Sequence, residues 1–165
     1  MLSKNILKAF NTQIKNELES AYLYLAMSSY CNAQNFFGFG KWLRMQAQEE
    51  LGHGMKLFDY VHHRGSQATL QAIEEPKADF KNLLELFKIV LEHEQKVTGL
   101  IHKLYEMALT ENDYASQIEL QWFVTEQVEE EQTATTIVEQ LKLVGDNKAA
   151  LMMMDKEMAG RSVAA

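Results

Sequence analysis

The stretch QAQEELGHGM, Gln46 to Met55, decides the fold because it breaks the rule of its own helix. Leu43, Ala47, Gly54, Leu57 and Val61 recur at the 3–4 spacing of a buried helical seam. Glu50 falls on that seam, and His53 follows one turn later. A carboxylate in such a place loses several kcal/mol of hydration unless something compensates it.

One Glu-x-x-His is a weak signal, so the other helical segments carry the argument. The first gives Leu7, Phe10, Ile14, Glu17, Ala21, Tyr24 and Ser28. The third gives Leu83, Phe87, Val90, Glu94, Val97, Ile101 and Leu104, and the fourth Leu120, Phe123, Gln127, Glu130, Ala134, Ile137 and Leu141. All four seams are apolar at their ends and acidic near the middle.

Punctuation sets the boundaries. The spacing predicts helices over about 3–32, 39–64, 83–110 and from just after Asp113, a candidate N-cap, to about 144. NAQNFFGFG makes the first turn, and Gly65 stops the second helix. GSQATLQAIEEPKADF has no helical period and holds the only proline. It is long enough to climb a bundle, which would leave the second and third helices parallel. After GDN, an amphipathic tail over 148–159 predicts a short fifth helix. The expectation is one all-α domain over residues 1–165, a four-helix bundle with a long crossover.

Composition narrows the partners. The net charge of −7 argues against nucleic acid and favours cations. Neither a membrane span nor the apolar core of a signal peptide is visible. Cys31 is alone, which excludes a disulfide framework or a cysteine metal site and suits a reducing cytoplasm. Cys31 reads as a small hydrophobe, Trp122 as a packing residue and Met152 to Met154 as tail packing.

Converging carboxylates need cations, and the lysines and Arg44 fall mostly off the seams. Two divalent ions would balance Glu17, Glu50, Glu94 and Glu130. His53, at i+3 from Glu50, adds one nitrogen, a donor set better suited to iron or manganese than to structural zinc. Tyr24 reads either as a hydrogen-bond donor to this cluster or as an ordinary core tyrosine. Glu126, Glu129 and Glu130 lie at i, i+3 and i+4, and Glu49 can lean towards them from the second helix. They would form an all-oxygen cage for a third ion, or else a solvated acidic run.

NELESAYLYLAMS, AQEELGHGMKLFDY, EHEQ and LQWFVTEQVEEE together resemble the bacterial non-haem ferritins, from end to end of the chain. Ferritin-like carboxylate bundles are a standard instance of this chemistry. The resemblance implies that Glu17, Glu50 and His53 bind one iron. Glu50, Glu94 and Glu130 would bind a second, with Glu50 bridging and Gln127 alongside. It implies oxidation of Fe²⁺ by O₂ or H₂O₂ and mineral storage in a hollow homo-oligomer of 24 chains, whose four-fold axes the fifth helix lines. Ferritins with a third iron position favour the Glu49, Glu126, Glu129 cage.

Departures matter too. Gln127-x-x-Glu130 replaces a second Glu-x-x-His, and Leu51 stands where haem-binding relatives carry methionine, so no haem is expected. Gln117 and Leu120 replace the acidic pair of animal three-fold pores, leaving Glu119 nearby. The alternatives are a shell that buffers metal without fast oxidation, and a plain structural bundle.

Overall fold

The computed structural model describes residues 1–161 and contains five helices among them. They are α1 (Lys4–Ala33), α2 (Phe37–His63), α3 (Leu83–Thr110), α4 (Tyr114–Val144) and α5 (Lys148–Met158). None of the described helices is long and apolar enough to cross a membrane.

Local chemistry places most ends. Ser3, Asn82, Asp113 and Asn147 each accept a backbone N–H of the first turn of α1, α3, α4 and α5. Gly65 and Gly145 take positive φ just past α2 and α4, where a side chain would be strained. The start of α2 is different, since Phe36 offers no side-chain cap. Asp155 of α5 supplies it, accepting from the N–H of Gly38 at 2.9 Å and Phe39 at 3.0 Å. A Cβ on Gly38 would sit 1.7 Å from the Asp155 carbonyl oxygen, so only glycine lets α5 dock there.

The core lies in two apolar clusters. One joins Tyr24, Met27 and Cys31 of α1, Phe39, Trp42 and Leu43 of α2, Leu83 to Val90 of α3 and Ile137 to Leu141 of α4. The other joins Ile6, Phe10 and Ile14, then Leu57 and Val61, then Val97 to Ala108, then Leu120 and Phe123. The beginnings of α2 and α3 therefore share one end of the bundle, and their later turns share the other. These two helices run parallel, as the crossover length predicts, with α1 and α4 opposed to them.

The crossover runs along α1: the Thr69 N–H donates to Asn11 Oδ1 at 3.1 Å, and the Phe80 ring meets Tyr30 edge-on at 5.2 Å. At the far end, Arg64 holds Asp113 through both guanidinium nitrogens, at 2.8 and 2.9 Å, tying the end of α2 to the cap of α4. Two expectations shift. Ile6, not Leu7, is the buried residue that begins the α1 seam. In the tail only Met154 of the methionine run is buried, while Met152 and Met153 face outward. An 11-residue helix lying on a bundle can bury one face only.

Candidate metal centre

Between the two apolar clusters lies a polar belt. Glu17 and Tyr24 come from α1, Glu50 and His53 from α2, Glu94 from α3, and Gln127 and Glu130 from α4; all seven are buried. Each stands on the bundle-facing seam of its helix, so the regular 3–4 spacing that fills the ends also aims these groups inward.

Glu17, Glu50 and His53 each offer a ligand atom, all within 4.8 Å of one another. His53 Nδ1 lies 3.3 Å from Glu50 Oε2, as i, i+3 neighbours on one helix face permit. Glu94 sits across the bundle, where its carboxylate accepts from the Tyr24 hydroxyl and, at 3.2 Å, from Gln127 Nε2. Gln127 also donates to the Glu94 carbonyl, which fixes α4 against α3 at this level.

Burial and mutual repulsion raise the carboxyls of the belt. Burial pushes the Glu17 carboxyl up to about 8, and the nearby Glu50 charge adds to the shift. Glu130 is pushed up to about 7 by burial and then by Glu94. Glu50 is held well above the usual carboxylate range by burial, with Glu94 and Glu130 adding repulsion. Glu94 is raised by burial, partly offset by the hydrogen bonds from Tyr24 and Gln127. Glu17 and Glu50 lie close together, and burial disfavours charging both at once. Hard carboxylate oxygens with one imidazole fit a divalent iron or manganese ion.

Supporting residues hold the carboxylates, and sequence reading missed them. Gln13 Nε2 donates to Glu17 Oε1 at 2.7 Å and itself accepts from Asn16 at 3.2 Å. Gln46 Nε2 reaches Glu50 Oε1 at 3.4 Å. Both obey one spacing, Gln-x-x-x-Glu, in QIKNE and QAQEE, a signal present in the sequence. Behind Tyr24, the edge of His93 meets its ring at 5.8 Å, and Ser20 Oγ lies 2.7 Å from His93 Nε2. Burial holds His93 down to about 4.

Of the remaining candidates, Glu126 and Glu49 sit at the rim. Glu126 Oε1 lies 4.0 Å from His53 Nε2, and Glu49 is close enough to Glu130 to raise its pKa. Glu49 is bonded to Arg161, and Glu129 is exposed on α4. Trp122 packs edge-on to His53 at 5.3 Å with Lys56 over its ring at 4.8 Å, although 41% of it remains exposed.

The overall fold agrees with comparisons to known proteins. A ferritin-like domain model matches residues 7–144. The chain is 41% identical to the bacterial non-heme ferritin of Staphylococcus aureus (strain USA300), with 98% of each chain covered. Against that of Staphylococcus haemolyticus (strain JCSC1435) the identity is 43%, again over 98% of each. A crystal structure described as a novel open pore ferritin from the hyperthermophilic archaeon Archaeoglobus fulgidus superposes with a TM-score of 0.97. Its identity is 48%, covering 98% of this chain and 99% of that one. A closed form of the same ferritin, engineered by site directed mutagenesis, gives 0.98 at 48% identity, covering 99% and 100%. The bundle and its crossover are those of a known fold: the chain belongs to the ferritin family.

Proposed function

We propose that this protein oxidises Fe²⁺ at the belt and stores the product as ferric mineral inside a hollow shell. The observation that carries this reading is the buried triad of Glu17, Glu50 and His53 beside two further carboxylates whose protons a cation would displace. Iron is the substrate. Glu17, Glu50 and His53 would hold one Fe²⁺, and Glu50, Glu94 and Glu130 a second, with Gln127 steadying Glu94. A pair of Fe²⁺ ions supplies two electrons, enough to reduce O₂ to H₂O₂ or H₂O₂ to water. The protein's part is to place the ions, neutralise their charge and exclude competing cations.

A third, looser position would draw on Glu49, Glu126 and Glu130 at the rim, with the exposed Glu129 as a further carboxylate on the same helix. The whole chain, residues 1–165, would act as one unit of a homo-oligomer, with 24 copies as the expected number. Support comes from an apolar face on α1, α2 and the crossover. Tyr22, Leu25, Leu51 and Ile73 stand exposed around a groove of about 390 Å³, a patch that suits a second copy of the chain. Expression in the reducing cytoplasm is consistent with the single thiol, Cys31, which is buried.

Anaerobic titration with Fe²⁺ followed by O₂ tests the reading. Rapid Fe³⁺ absorbance after two ions per chain are bound supports it. Tight binding without oxidation would leave a metal-buffering shell, and no binding would remove the metal site altogether. Light scattering that found only monomer or dimer would remove storage, because no cavity would exist.

A further inference from the structure

Arg161 follows α5 and folds back onto α2. Its guanidinium lies over the Trp42 ring at 4.4 Å, donates to Gln46 Oε1 at 2.7 Å and forms an ion pair with Glu49. Trp42, Gln46 and Glu49 are spaced at i, i+4 and i+7, so they share one face of α2, which continues into Glu50 and His53. The Arg161 and Glu49 side chains are only 20% and 24% exposed, which makes this a partly desolvated pair rather than a fluttering surface contact.

The placement is built, not incidental. Asp155 caps α2, Met154 and Met158 are buried against the bundle, and Lys41 Nζ donates to the Ala159 carbonyl at 2.6 Å. These contacts deliver Arg161 to the rim at a fixed height. Glu49 is the one rim carboxylate that α2 offers to a third ion, and a protein cation already holds it.

We propose that Arg161 is a positioning residue and built-in counter-ion: it competes with a divalent cation for Glu49, so the rim takes a third ion only as Arg161 swings away. The inference rests on the third-position reading given under the proposed function. Its consequence is that the carboxyl-terminal segment sets how readily the rim fills, while it reaches the buried pair of positions only through Gln46.

Anaerobic Fe²⁺ titration of the assembled protein, repeated with Zn²⁺ as a redox-inert probe, tests this in Arg161→Gln, Arg161→Lys and Arg161→Gln/Glu49→Ala. Removing a competing charge of this kind should tighten the third ion about two- to fivefold in Arg161→Gln. Arg161→Lys should stay near wild type, because the charge remains, and the double variant should lose the third ion. The two tighter ions should bind alike in wild type and Arg161→Gln. Three ions bound with equal affinity in wild type and Arg161→Gln would overturn the role of Arg161 while sparing the third position. Only two ions bound in every variant would overturn the third position, and this inference with it. A Lys variant that behaved like Gln would show that fit rather than charge matters, which also overturns it.

Discussion

The ends of the bundle and its middle use the same helices, the same seam and opposite chemistry. At one end Phe87 is fully buried against Phe39 at 5.5 Å and Trp42 at 5.6 Å. About two turns along the same seam of α3, Glu94 is nearly as buried, and its carboxyl is pushed up by that burial. The ends stabilise the fold by removing apolar surface from water. The middle works against it, because each carboxylate there is desolvated and faces others. The contrast teaches that the belt is tolerated, not favoured, by the metal-free fold, and that apolar clusters on both sides carry its cost.

The sharpest way to break the comparison is to exchange what each region supplies. Glu50→Ala should slow Fe²⁺ oxidation by at least about a hundredfold, since losing partners only one step removed from a metal already costs about 10–100-fold. The thermal midpoint of the metal-free protein should hold or rise, because one repelling carboxylate is gone. Phe87→Ala should do the reverse. It should lower stability by about 3–5 kcal/mol, with oxidation near normal while the fold persists. Stopped-flow absorbance and thermal melts on both variants would check the pair. A Glu50→Ala protein that oxidised iron at the wild-type rate would sink the assignment of the belt.

Legibility followed the same division. The four seams, the caps at Asp113 and the stops at Gly65 and after Val144 could be read because each depends on neighbours in sequence. The spacing puts the start of α2 near residue 39 and it lies at Phe37, because its cap, Asp155, comes from more than a hundred residues away. Glu17, Glu50, Glu94 and Glu130 were visible as breaks in a periodic pattern. Gln13 and Gln46 were not, since a glutamine one turn from a glutamate looks like any solvated pair until burial is known. Arg161 was beyond reach for a further reason: nothing local says that the tail folds back on α2. The geometry collects six of the proposed ligands and Tyr24 in the belt, while Glu129 is exposed on α4.

A pH series on the metal-free protein should sharpen the contrast. Glu17 and Glu130 have folded pKa values of about 8 and about 7 against an ordinary 4.5. A raised folded value means that the folded state holds protons the unfolded chain has already released. Their stabilisation is therefore complete below about 4.5 and is lost as pH climbs through 7 and 8. His93, lowered to about 4 from 6.5, acts the other way: the unfolded chain takes up a proton first, so stability rises with pH between those values. The clean window is thus pH 6.5 to 8, where the carboxylates alone set the slope. There the metal-free protein should lose about 2–3 kcal/mol. Saturating Zn²⁺, which takes the place of the protons, should flatten or reverse the fall. A flat profile with chelator present would mean that the carboxylates are solvated rather than buried.

The smallest effect comes from comparing two tyrosines, one in each region. The Tyr60 hydroxyl lies 3.0 Å from Ser116 Oγ and also meets Arg64, within the lock between α2 and α4. The Tyr24 hydroxyl donates to Glu94 in the belt. Burial, followed by the charge of Glu94, holds Tyr24 well above its ordinary value, so it stays protonated and remains a donor at any working pH. Its task would be to hold Glu94 Oε1 while Gln127 donates to Oε2, so that the carboxylate is kept from rotating at both oxygens. Tyr24→Phe keeps the ring, its packing on His93 and the surrounding cluster, and removes only the hydroxyl. The loss should weaken the second Fe²⁺ and slow oxidation about three- to tenfold, the scale of one ordinary hydrogen bond, because Gln127 still holds the carboxylate. Tyr60→Phe should lower the melting temperature by a few degrees and leave iron binding unchanged. Equal iron affinity and rate in Tyr24→Phe and wild type would return Tyr24 to an ordinary core residue. The belt would then be defined by its carboxylates, His53 and Gln127 alone.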